Sequence, residues 1–373
     1  MALRFKKLTL LCFTLLFSIQ LHAQREFSIS GSVKSKSTLS VIPGAQLFLN
    51  GSTIGTLADG DGKFVLSGIP EGTHEIVVQN LGYESASRII NTANLDSEYS
   101  FFLNEKVYNL DEITVKPNTQ DWLYNFQQFQ KEFIGVGPFS KNTEIVNEEV
   151  VNFNFEIEER TLNAYAFERI EIVNKDLGYR IFFYLEDFKI DYKNGTTFFY
   201  GQTLFEEMTS KRKRTLKKWS ENRKKAYMGS FTHFTSSLID QNVSENGFVI
   251  KGEKRESKAR YVSKDTVDHK LVFSKIDSTY YEFRFINFLN VSYKNEYEDM
   301  TYLYSIAKLH DSSPRLLPDY QNSSVTLLSD SVLVDKSGFI LNPTSILFDG
   351  YWGFEKLSDM LPLTYKISEK FKK

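Results

Sequence analysis

The fold of the first part of the chain is decided by the stretch Gly55-Thr56-Leu57-Ala58-Asp59-Gly60-Asp61-Gly62-Lys63-Phe64. Two short apolar runs flank a turn of Asp and Gly, and an Asp-Gly pair supplies the positive φ that a tight hairpin requires. Outward from this turn, short runs with β-like alternation recur between Gly, Pro and Asp residues from position 27 to position 116. Short strands at such close spacing predict a seven-stranded antiparallel β-sandwich.

The same residues resemble a known family. In each matching run a glycine or proline falls where a hairpin turns. The runs are Ser30-Gly31-Ser32-Val33, Ile42-Pro43-Gly44-Ala45, residues 55–64, residues 68–74, Leu81-Gly82-Tyr83-Glu84 and Leu110-Asp111-Glu112-Ile113-Thr114-Val115. Together they resemble the carboxypeptidase-regulatory-like domain, a transthyretin-like sandwich found behind metallocarboxypeptidases and in front of TonB-dependent transporters. The resemblance implies a domain over residues 24–117 that acts as a spacer or docking module and supplies no catalytic residue.

After Pro117 the pattern changes. Trp122, Phe126, Phe129 and Phe133 are spaced by four, three and four residues, which predicts an amphipathic helix over residues 121–134. Further on, a second helical interval is predicted over residues 216–238. Alternating aromatic runs predict strands at residues 150–157, 164–173, 179–192, 196–205, 270–275, 280–285, 290–297 and 325–333. Residues 118–373 are therefore predicted to form a larger β-rich domain with a few helices, so that the chain is mainly β.

This second region resembles, as a whole, an uncharacterised β-rich C-terminal domain that accompanies the sandwich in exported proteins of Gram-negative envelopes. The strings that carry this resemblance include Lys131-Glu132-Phe133-Ile134-Gly135, Leu177-Gly178-Tyr179, Tyr227-Met228-Gly229-Ser230 and Asp359-Met360-Leu361-Pro362. The resemblance implies an architecture and a location, and no activity.

The start of the chain predicts export. Arg4, Lys6 and Lys7 precede an apolar run over residues 8–19, and Ala23 offers a small residue for cleavage, which is typical of a secretory signal peptide over residues 1–23. A membrane span needs about 20 apolar residues, so an anchor is disfavoured. The only cysteine, Cys12, lies within this run, and the mature chain would therefore contain neither a disulfide nor a thiol nucleophile. We expect a periplasmic or outer-membrane-associated protein.

The charges and histidines exclude several classes of function. The chain has 45 basic and 47 acidic residues, a balance that does not suggest a nucleic-acid partner. A carboxypeptidase zinc site needs a His-x-x-Glu pair, yet none of the mature histidines, His74, His233, His269 and His310, is followed by glutamate at the third position. The sequence therefore predicts no metallocarboxypeptidase, no metal and no cofactor.

Two further motifs favour a structural interpretation. The run Asp59-Gly60-Asp61-Gly62 has Lys63 where a calcium loop has its third acid, so a hairpin turn is expected. His233 could act as a general base beside Ser230 with Asp240 orienting it, but no Gly-x-Ser-x-Gly motif accompanies it. Since Phe231 and Phe234 lie on the same predicted helix, a packing role is expected for His233.

Residues 211–225 contain nine basic residues and one acid. The spacing predicts a helix whose apolar stripe, formed by Leu216, Trp219 and Tyr227, packs on the β-rich domain and leaves a cationic half outward. Candidate contacts with an anionic membrane surface or an acidic partner are Lys213, Arg214, Lys217, Lys218, Lys224 and Lys225. The alternative is an ordinary solvated helix face.

These observations predict a non-enzymatic exported envelope protein that serves as a docking or binding module for a partner protein or a glycan. Two alternatives stay open at this stage. One is a hydrolase whose site lies in residues 121–373 without a recognisable motif. The other is an accessory relative of TonB-dependent transporters.

Overall fold

The computed structural model describes residues 25–106, 119–256, 259–277, 279–309, 312–315, 317–336 and 338–367. The predicted signal peptide, the run Leu110 to Val115 that carries part of the family resemblance and His310 lie outside these ranges. The predicted mainly β class is confirmed, and the part described contains five α-helices.

Seven strands form the N-terminal sandwich within residues 25–106. They are β1 (Glu26–Ser35), β2 (Gln46–Leu49), β3 (Gly55–Leu57), β4 (Lys63–Pro70), β5 (Thr73–Gln79), β6 (Ala86–Asn91) and β7 (Tyr99–Leu103). One sheet has the order β4-β1-β7 and the other the order β3-β2-β5-β6. Between the sheets lies a core of buried aliphatic and aromatic side chains, among them Val33, Leu47, Leu66 and Ile76.

The predicted hairpin at residues 59–62 is confirmed. Asp59 Oδ1 accepts hydrogen bonds from the backbone N–H of Asp61 at 2.9 Å and of Lys63 at 2.8 Å, and Gly62 has a φ of 69°. One detail of the prediction is corrected. β1 and β7 pair in parallel, because the chain crosses from the β3-β2-β5-β6 sheet back to the free side of β1. Gly82 lies in a turn, Tyr83 forms an isolated bridge with Glu105, and the next strand begins at Ala86.

A six-stranded sheet, here called the second sheet, follows the sandwich along the chain and packs against an aromatic helix. Helix α1 (Gln120–Phe133) has Thr119 as its N-cap, whose hydroxyl accepts from the Trp122 N–H at 3.1 Å. Its four predicted aromatic residues are all buried against the sheet. The strands are β8 (Thr143–Ile145), β9 (Val151–Glu156), β10 (Thr161–Ala166), β11 (Ile170–Asn174), β12 (Tyr179–Asp191) and β13 (Thr196–Glu207), in the order β8-β11-β12-β10-β9 with β13 beside β12.

Two helices follow where one helical interval was predicted. Helix α2 (Lys213–Tyr227) and helix α3 (Phe231–Ile239) are separated by Gly229, whose φ of 84° a residue with a side chain would rarely adopt. Trp219 of α2 packs directly on Gly178. A Cβ at position 178 would come within 2.3 Å of the indole, so only glycine permits this contact.

The last part of the chain adds two more sheets, with the orders β15-β14-β18-β19-β21 and β16-β17-β20. Their elements are β14 (Phe248–Glu256), β15 (Ala259–Thr266), β16 (Phe273–Lys275), β17 (Tyr280–Phe283), β18 (Phe288–Tyr297), α4 (Met300–Leu309), β19 (Tyr320–Leu327), β20 (Val332–Asp335), β21 (Ile346–Gly350) and α5 (Tyr351–Phe354). The predicted strands 164–173 and 325–333 are each two strands. The elements that were not predicted from the sequence are β8, β14, β15, β21 and α4.

The two sheets formed by β14 to β21 are here called the third part of the chain. The sandwich contacts this third part as well as the second sheet. The backbone N–H of Thr73 donates to Oδ2 of the buried Asp335 at 2.6 Å, and Glu71 forms an ion pair with Lys336. At the other end, the Leu363 N–H donates to the Gly51 carbonyl at 2.7 Å. These contacts hold the sandwich against the C-terminal region at two separate places.

Candidate functional site

Four strands meet in a wedge between the sandwich and the second sheet. On the outer face of the sandwich, Phe48 pairs with Val77 across β2 and β5, and two residues along the strands Gln46 pairs with Gln79. The opposing sheet repeats this arrangement, with Phe182 opposite Leu204 across β12 and β13 and Tyr184 opposite Gln202. Because residues two apart share a face of a strand, each strand contributes one apolar residue at one end of the wedge and one polar residue at the other.

The apolar end of the wedge is closed. Phe48, Val77, Phe182 and Leu204 form a small buried cluster of their own, separate from the sandwich core. Tyr184 stacks on Phe48 with ring centroids 5.3 Å apart. Backbone hydrogen bonds flank the cluster, from Gly51 N–H to the Thr203 carbonyl and from Phe205 N–H to the Ser52 carbonyl, both at 2.8 Å.

The polar end of the wedge opens into a cleft of about 1050 Å³. Loop residues 80–85 of the sandwich and residues 166–171 of the second sheet form its sides. The Tyr184 hydroxyl donates to Gln46 Oε1 across the wedge at 2.5 Å. The amide side chains that line the cleft are Gln46, Gln79, Asn80, Asn147 and Gln202.

One arginine is held in place on the cleft wall. Nε and Nη2 of Arg169 both donate to Glu171 Oε1, at 3.1 and 2.9 Å, and its guanidinium lies 4.3 Å from the centre of the Phe182 ring. Burial disfavours the charged form of Arg169. Hydrogen bonds with Glu171 and Tyr184 favour the charged form more strongly, so the pKa of Arg169 is raised. Arg169 is therefore a fixed cation whose charge is already balanced within the protein.

One acceptor in the cleft lining has no partner. Gln202 is only 6% exposed, and its Oε1 has no hydrogen bond in the part of the protein that the structure describes. An unsatisfied buried acceptor costs about 1–3 kcal/mol, and such groups need an explanation. Since Gln202 lines the cleft, a hydrogen-bond donor entering from the cleft is the natural partner of this oxygen.

The lining of the cleft contains more acidic than basic side chains. Four carboxylates, Glu84, Glu168, Glu171 and Glu186, are accompanied by only two cations, Arg169 and Lys106. Lys106 lies 5.6 Å from the centre of the Phe167 ring, a cation–π distance. Neither histidine nor cysteine is present among the described residues of the lining. The cleft therefore offers amides, carboxylates, hydroxyl groups and ring surface.

A second cavity is much smaller, at about 20 Å³, which is enough for a single water molecule. Its lining includes Glu296, Glu355, Asp359 and Lys225. Burial raises the pKa of Asp359 to about 6 and also raises the pKa of Glu355 and of Glu296. The cavity is too small for a substrate, so these carboxyl groups bear on stability rather than on catalysis.

The packing interpretation of His233 is confirmed. Its Nδ1 accepts from the Gly229 N–H at 3.1 Å, and its Nε2 is 3.1 Å from Asn246 Oδ1. Ser230 is the N-cap of α3, and its hydroxyl accepts from the His233 backbone N–H. Burial lowers the pKa of His233. With both ring nitrogens occupied, His233 is not placed to activate Ser230.

The other described histidines, His74 and His269, do not line the cleft. His74 Nε2 bonds the Pro70 carbonyl at 2.8 Å, while His269 lies beside Asp268. Within the described ranges, the structure contains no cluster of three or more His, Cys, Asp or Glu side chains suited to a metal ion. In the same ranges, no helix has both the length and the apolar character to cross a membrane.

The six cations proposed from the sequence as surface contacts are all on α2, but they do not form one free face. Lys213, Arg214 and Lys217 are exposed, and Lys217 is 3.6 Å from Glu221. Lys218 is bound to the buried Asp176 at 2.6 Å. Lys225 is exposed near the acidic cavity, and Lys224 is half-buried. The outward cationic surface is therefore concentrated in the N-terminal half of the helix.

The predicted apolar stripe of α2 is also corrected. Trp219 is buried, whereas Leu216 is 46% exposed. The helix packs on the turn at residues 175–178, where Trp219 Nε1 donates to the Lys175 carbonyl and Arg223 Nε donates to the Leu177 carbonyl. Its contact face is therefore centred further along the helix than the hydrophobic pattern indicates.

Comparison with known proteins identifies the first domain. Residues 29–115 match the family model of the CarboxypepD_reg-like domain. The sandwich is a carboxypeptidase-regulatory-like domain. Domains of this kind are binding or regulatory modules without catalytic residues and are typical of exported proteins. The match includes Gln46, Phe48, Val77 and Gln79, the residues with which the sandwich faces the second sheet.

No curated protein matches the chain. Among solved structures, a 9R-lipoxygenase from Cyanothece PCC8801 is similar at 7% identity and a TM-score of 0.18, over 57% of this chain and 48% of that one. A likeness this weak carries no argument about fold or activity.

Sequence reasoning missed the cleft. In the sequence, the cleft is indicated only by four pairs of residues in which an apolar and a polar side chain stand two positions apart. These pairs are 46 and 48, 77 and 79, 182 and 184, and 202 and 204. Such spacing is ordinary for half-buried strands, and it acquires meaning only when the two sheets face each other.

Proposed function

We propose that the protein is a non-enzymatic binding protein of the cell envelope, in which the carboxypeptidase-regulatory-like domain forms one wall of the binding site. The observation that carries the proposal is the wedge, whose closed end fixes two domains together while its open end leaves a polar cleft of about 1050 Å³. Binding sites are found preferentially at such domain interfaces.

The chemistry of the lining supports binding. Amides, a tyrosine hydroxyl and part-exposed rings line the cleft, and the one fixed arginine is already balanced by Glu171. The leader-like first residues and the family of the first domain support the location in the envelope.

The test uses two serines that are both exposed on sandwich strands. Ser87 of β6 lines the cleft, whereas Ser100 of β7 lies in the other sheet. We expect Ser87→Trp to block the cleft and abolish saturable binding of ligands from fractionated envelope oligosaccharide and peptide pools, with Ser100→Trp as the matched control that keeps it. Mass spectrometry should recover the ligand unaltered.

Three results would contradict the proposal. They are equal binding by both variants, saturable binding by neither variant nor the wild type, and recovery of the ligand in a cleaved form.

A further inference from the structure

We infer that the ligand of this cleft is an uncharged oligosaccharide, an inference that rests on the binding function proposed above. Sugar hydroxyls donate and accept hydrogen bonds at the same time, and side-chain amides do the same. Five such amides line the cleft, drawn from both domains. Gln46 Oε1 already accepts from Tyr184, and Asn147 bonds the backbone of Arg169 and Glu171, so the amides that face the ligand are those of Gln79, Asn80 and Gln202.

Gln202 points to a donor in the ligand. Its Oε1 is buried in the lining without a partner in the described structure, although the residue is only 6% exposed. A sugar hydroxyl that donates to this oxygen would remove the cost of the unsatisfied acceptor. A ligand made only of acceptors, such as a sulfate ion, leaves that cost in place.

Charge disfavours an anionic ligand. Four carboxylates line the cleft, and of its two cations Arg169 is engaged with Glu171 and Lys106 lies at a cation–π distance from Phe167. An acidic polysaccharide would therefore meet net repulsion. A neutral chain encounters no such penalty.

Two part-exposed rings add surface for the apolar faces of sugar rings. Tyr83 comes from the sandwich and Phe167 from the second sheet, so both walls contribute one. The π-face of an aromatic ring carries partial negative charge, which suits the C–H groups on the face of a pyranose. The volume of about 1050 Å³ accommodates several sugar units.

The main rival is an extended peptide, and the strand order disfavours it. Peptides that add to a sheet pair with the backbone of an edge strand. Here Gln46 lies on β2, which pairs with β3 on one side and β5 on the other, and Gln79 and Tyr184 face the cleft from β5 and β12, which are also internal strands. The cleft is thus lined by the side chains of sheet faces.

The experiment measures binding of neutral gluco-, manno- and galacto-hexaoses, a hexuronate oligomer and an uncharged hexapeptide by titration calorimetry. We expect at least one neutral hexaose to bind, and the hexuronate and the peptide not to bind. Gln202→Leu should weaken that binding by about tenfold, the value of one hydrogen bond, while raising the Tm of the free protein. Gln79→Leu should weaken binding without raising the Tm, and it remains informative if Gln202→Leu folds poorly.

The outcomes separate the ligand class from the function. Binding of the peptide or the hexuronate in a manner that Ser87→Trp abolishes would overturn the oligosaccharide assignment and leave the binding cleft standing. Binding of a hexaose that neither Gln202→Leu nor Gln79→Leu weakens would also overturn it. If Ser87→Trp alters the binding of no probe and of no fraction of the envelope pools, the proposed function itself fails.

Discussion

The core of the sandwich is built from strands that are close together along the chain. The C-terminal region has two cores, one under α1 and one in the third part of the chain, and residues 351–363, here called the closing segment, join them. Trp352 of this segment lies in the core of the third part, and Leu357 lies in the core under α1. The Ser358 N–H also donates to the Ile134 carbonyl at 3.1 Å, and Leu363 reaches Gly51 of the sandwich. From this difference we expect the first domain to form early and alone, while the rest depends on contacts distant in sequence.

The largest expected effect comes from breaking the closing segment. Trp352 contacts Phe231 and Phe234, and its Nε1 donates to the Gly229 carbonyl at 2.7 Å. We expect Trp352→Ala to lower the free energy of unfolding of the C-terminal region by about 4 to 5 kcal/mol, as for other buried tryptophans. Urea denaturation followed by hydrogen exchange measures the loss and locates it.

The control is Tyr304→Ala, which removes an exposed aromatic residue of α4 and should change stability by less than about 0.5 kcal/mol. Sandwich amides should keep their protection in Trp352→Ala. Equal loss of protection in both regions would show that the sandwich depends on the closing segment for its own core.

The second test concerns the independence of the sandwich. Phe48 belongs to the interface cluster with Phe182 and Leu204 rather than to the sandwich core. We expect a fragment of residues 24–117 to fold alone, with Phe48→Ala costing it less than about 1 kcal/mol because the ring is exposed there. In the full chain the same change should cost about 3 to 4 kcal/mol. Denaturant titrations of both forms measure the difference.

Leu47→Ala provides the matched control, because Leu47 points into the sandwich core. It should destabilise the fragment and the full chain alike. A fragment that is disordered by NMR, or a Phe48→Ala cost that is the same in both forms, would mean that the two domains share one core.

The third test uses pH. Burial raises the pKa of Asp359 in the closing segment from its ordinary value of 3.8 to about 6. The folded state therefore binds a proton that the unfolded state has lost between pH 4 and pH 6, so stability falls as the pH rises through this window and stays lower above it. Below pH 4 both states are protonated and the penalty vanishes.

Asp359→Asn should remove this fall and be more stable than the wild type at pH 7 by about 2 to 3 kcal/mol. Measuring the free energy of unfolding of both proteins from pH 4 to pH 8 isolates the contribution of this one group. A wild-type-minus-variant difference that is constant across the window would show that Asp359 does not titrate there. Sandwich stability, measured on the fragment, should lack this contribution.

The sequence predicted the sandwich more closely than the C-terminal region for a physical reason. Its strands are joined by short turns, and residues such as Gly62 and Gly44 mark those turns because their backbone has positive φ. Helix α1 was also predicted to within one residue at each end, since four aromatic residues repeat at helical spacing. Local chemistry determines these features.

The features that were missed depend on contacts distant in sequence. β14 and β15 carry many charged residues in the run 251–260, and β15 is an edge strand that needs no apolar alternation. The exposure of Leu216 follows from where α2 meets the turn at residues 175–178. Gln202 gives no signal by itself, because its missing partner is visible only once the wedge is assembled.

The smallest expected effect on stability comes from the outward cations of α2. Lys213, Arg214 and Lys217 are exposed, and the only ion pair seen for them in the described structure is between Lys217 and Glu221. Exposed ion pairs contribute less than about 1 kcal/mol, so changing all three to Glu should leave the Tm almost unchanged. If α2 contacts an anionic surface, as its charge predicts, the same triple variant should lose co-sedimentation with phosphatidylglycerol vesicles at low salt, because each cation near such a surface contributes about 1 kcal/mol.

Lys218→Glu is the contrasting variant on the same helix. Lys218 neutralises the buried Asp176, so reversing its charge should destabilise the protein measurably, since it places a second negative charge beside a buried carboxylate. Vesicle binding per folded molecule should nevertheless fall less than in the triple variant. If the triple variant sediments with anionic vesicles as well as the wild type does, the N-terminal half of α2 is a solvated face, and surface contact is not part of what this protein does.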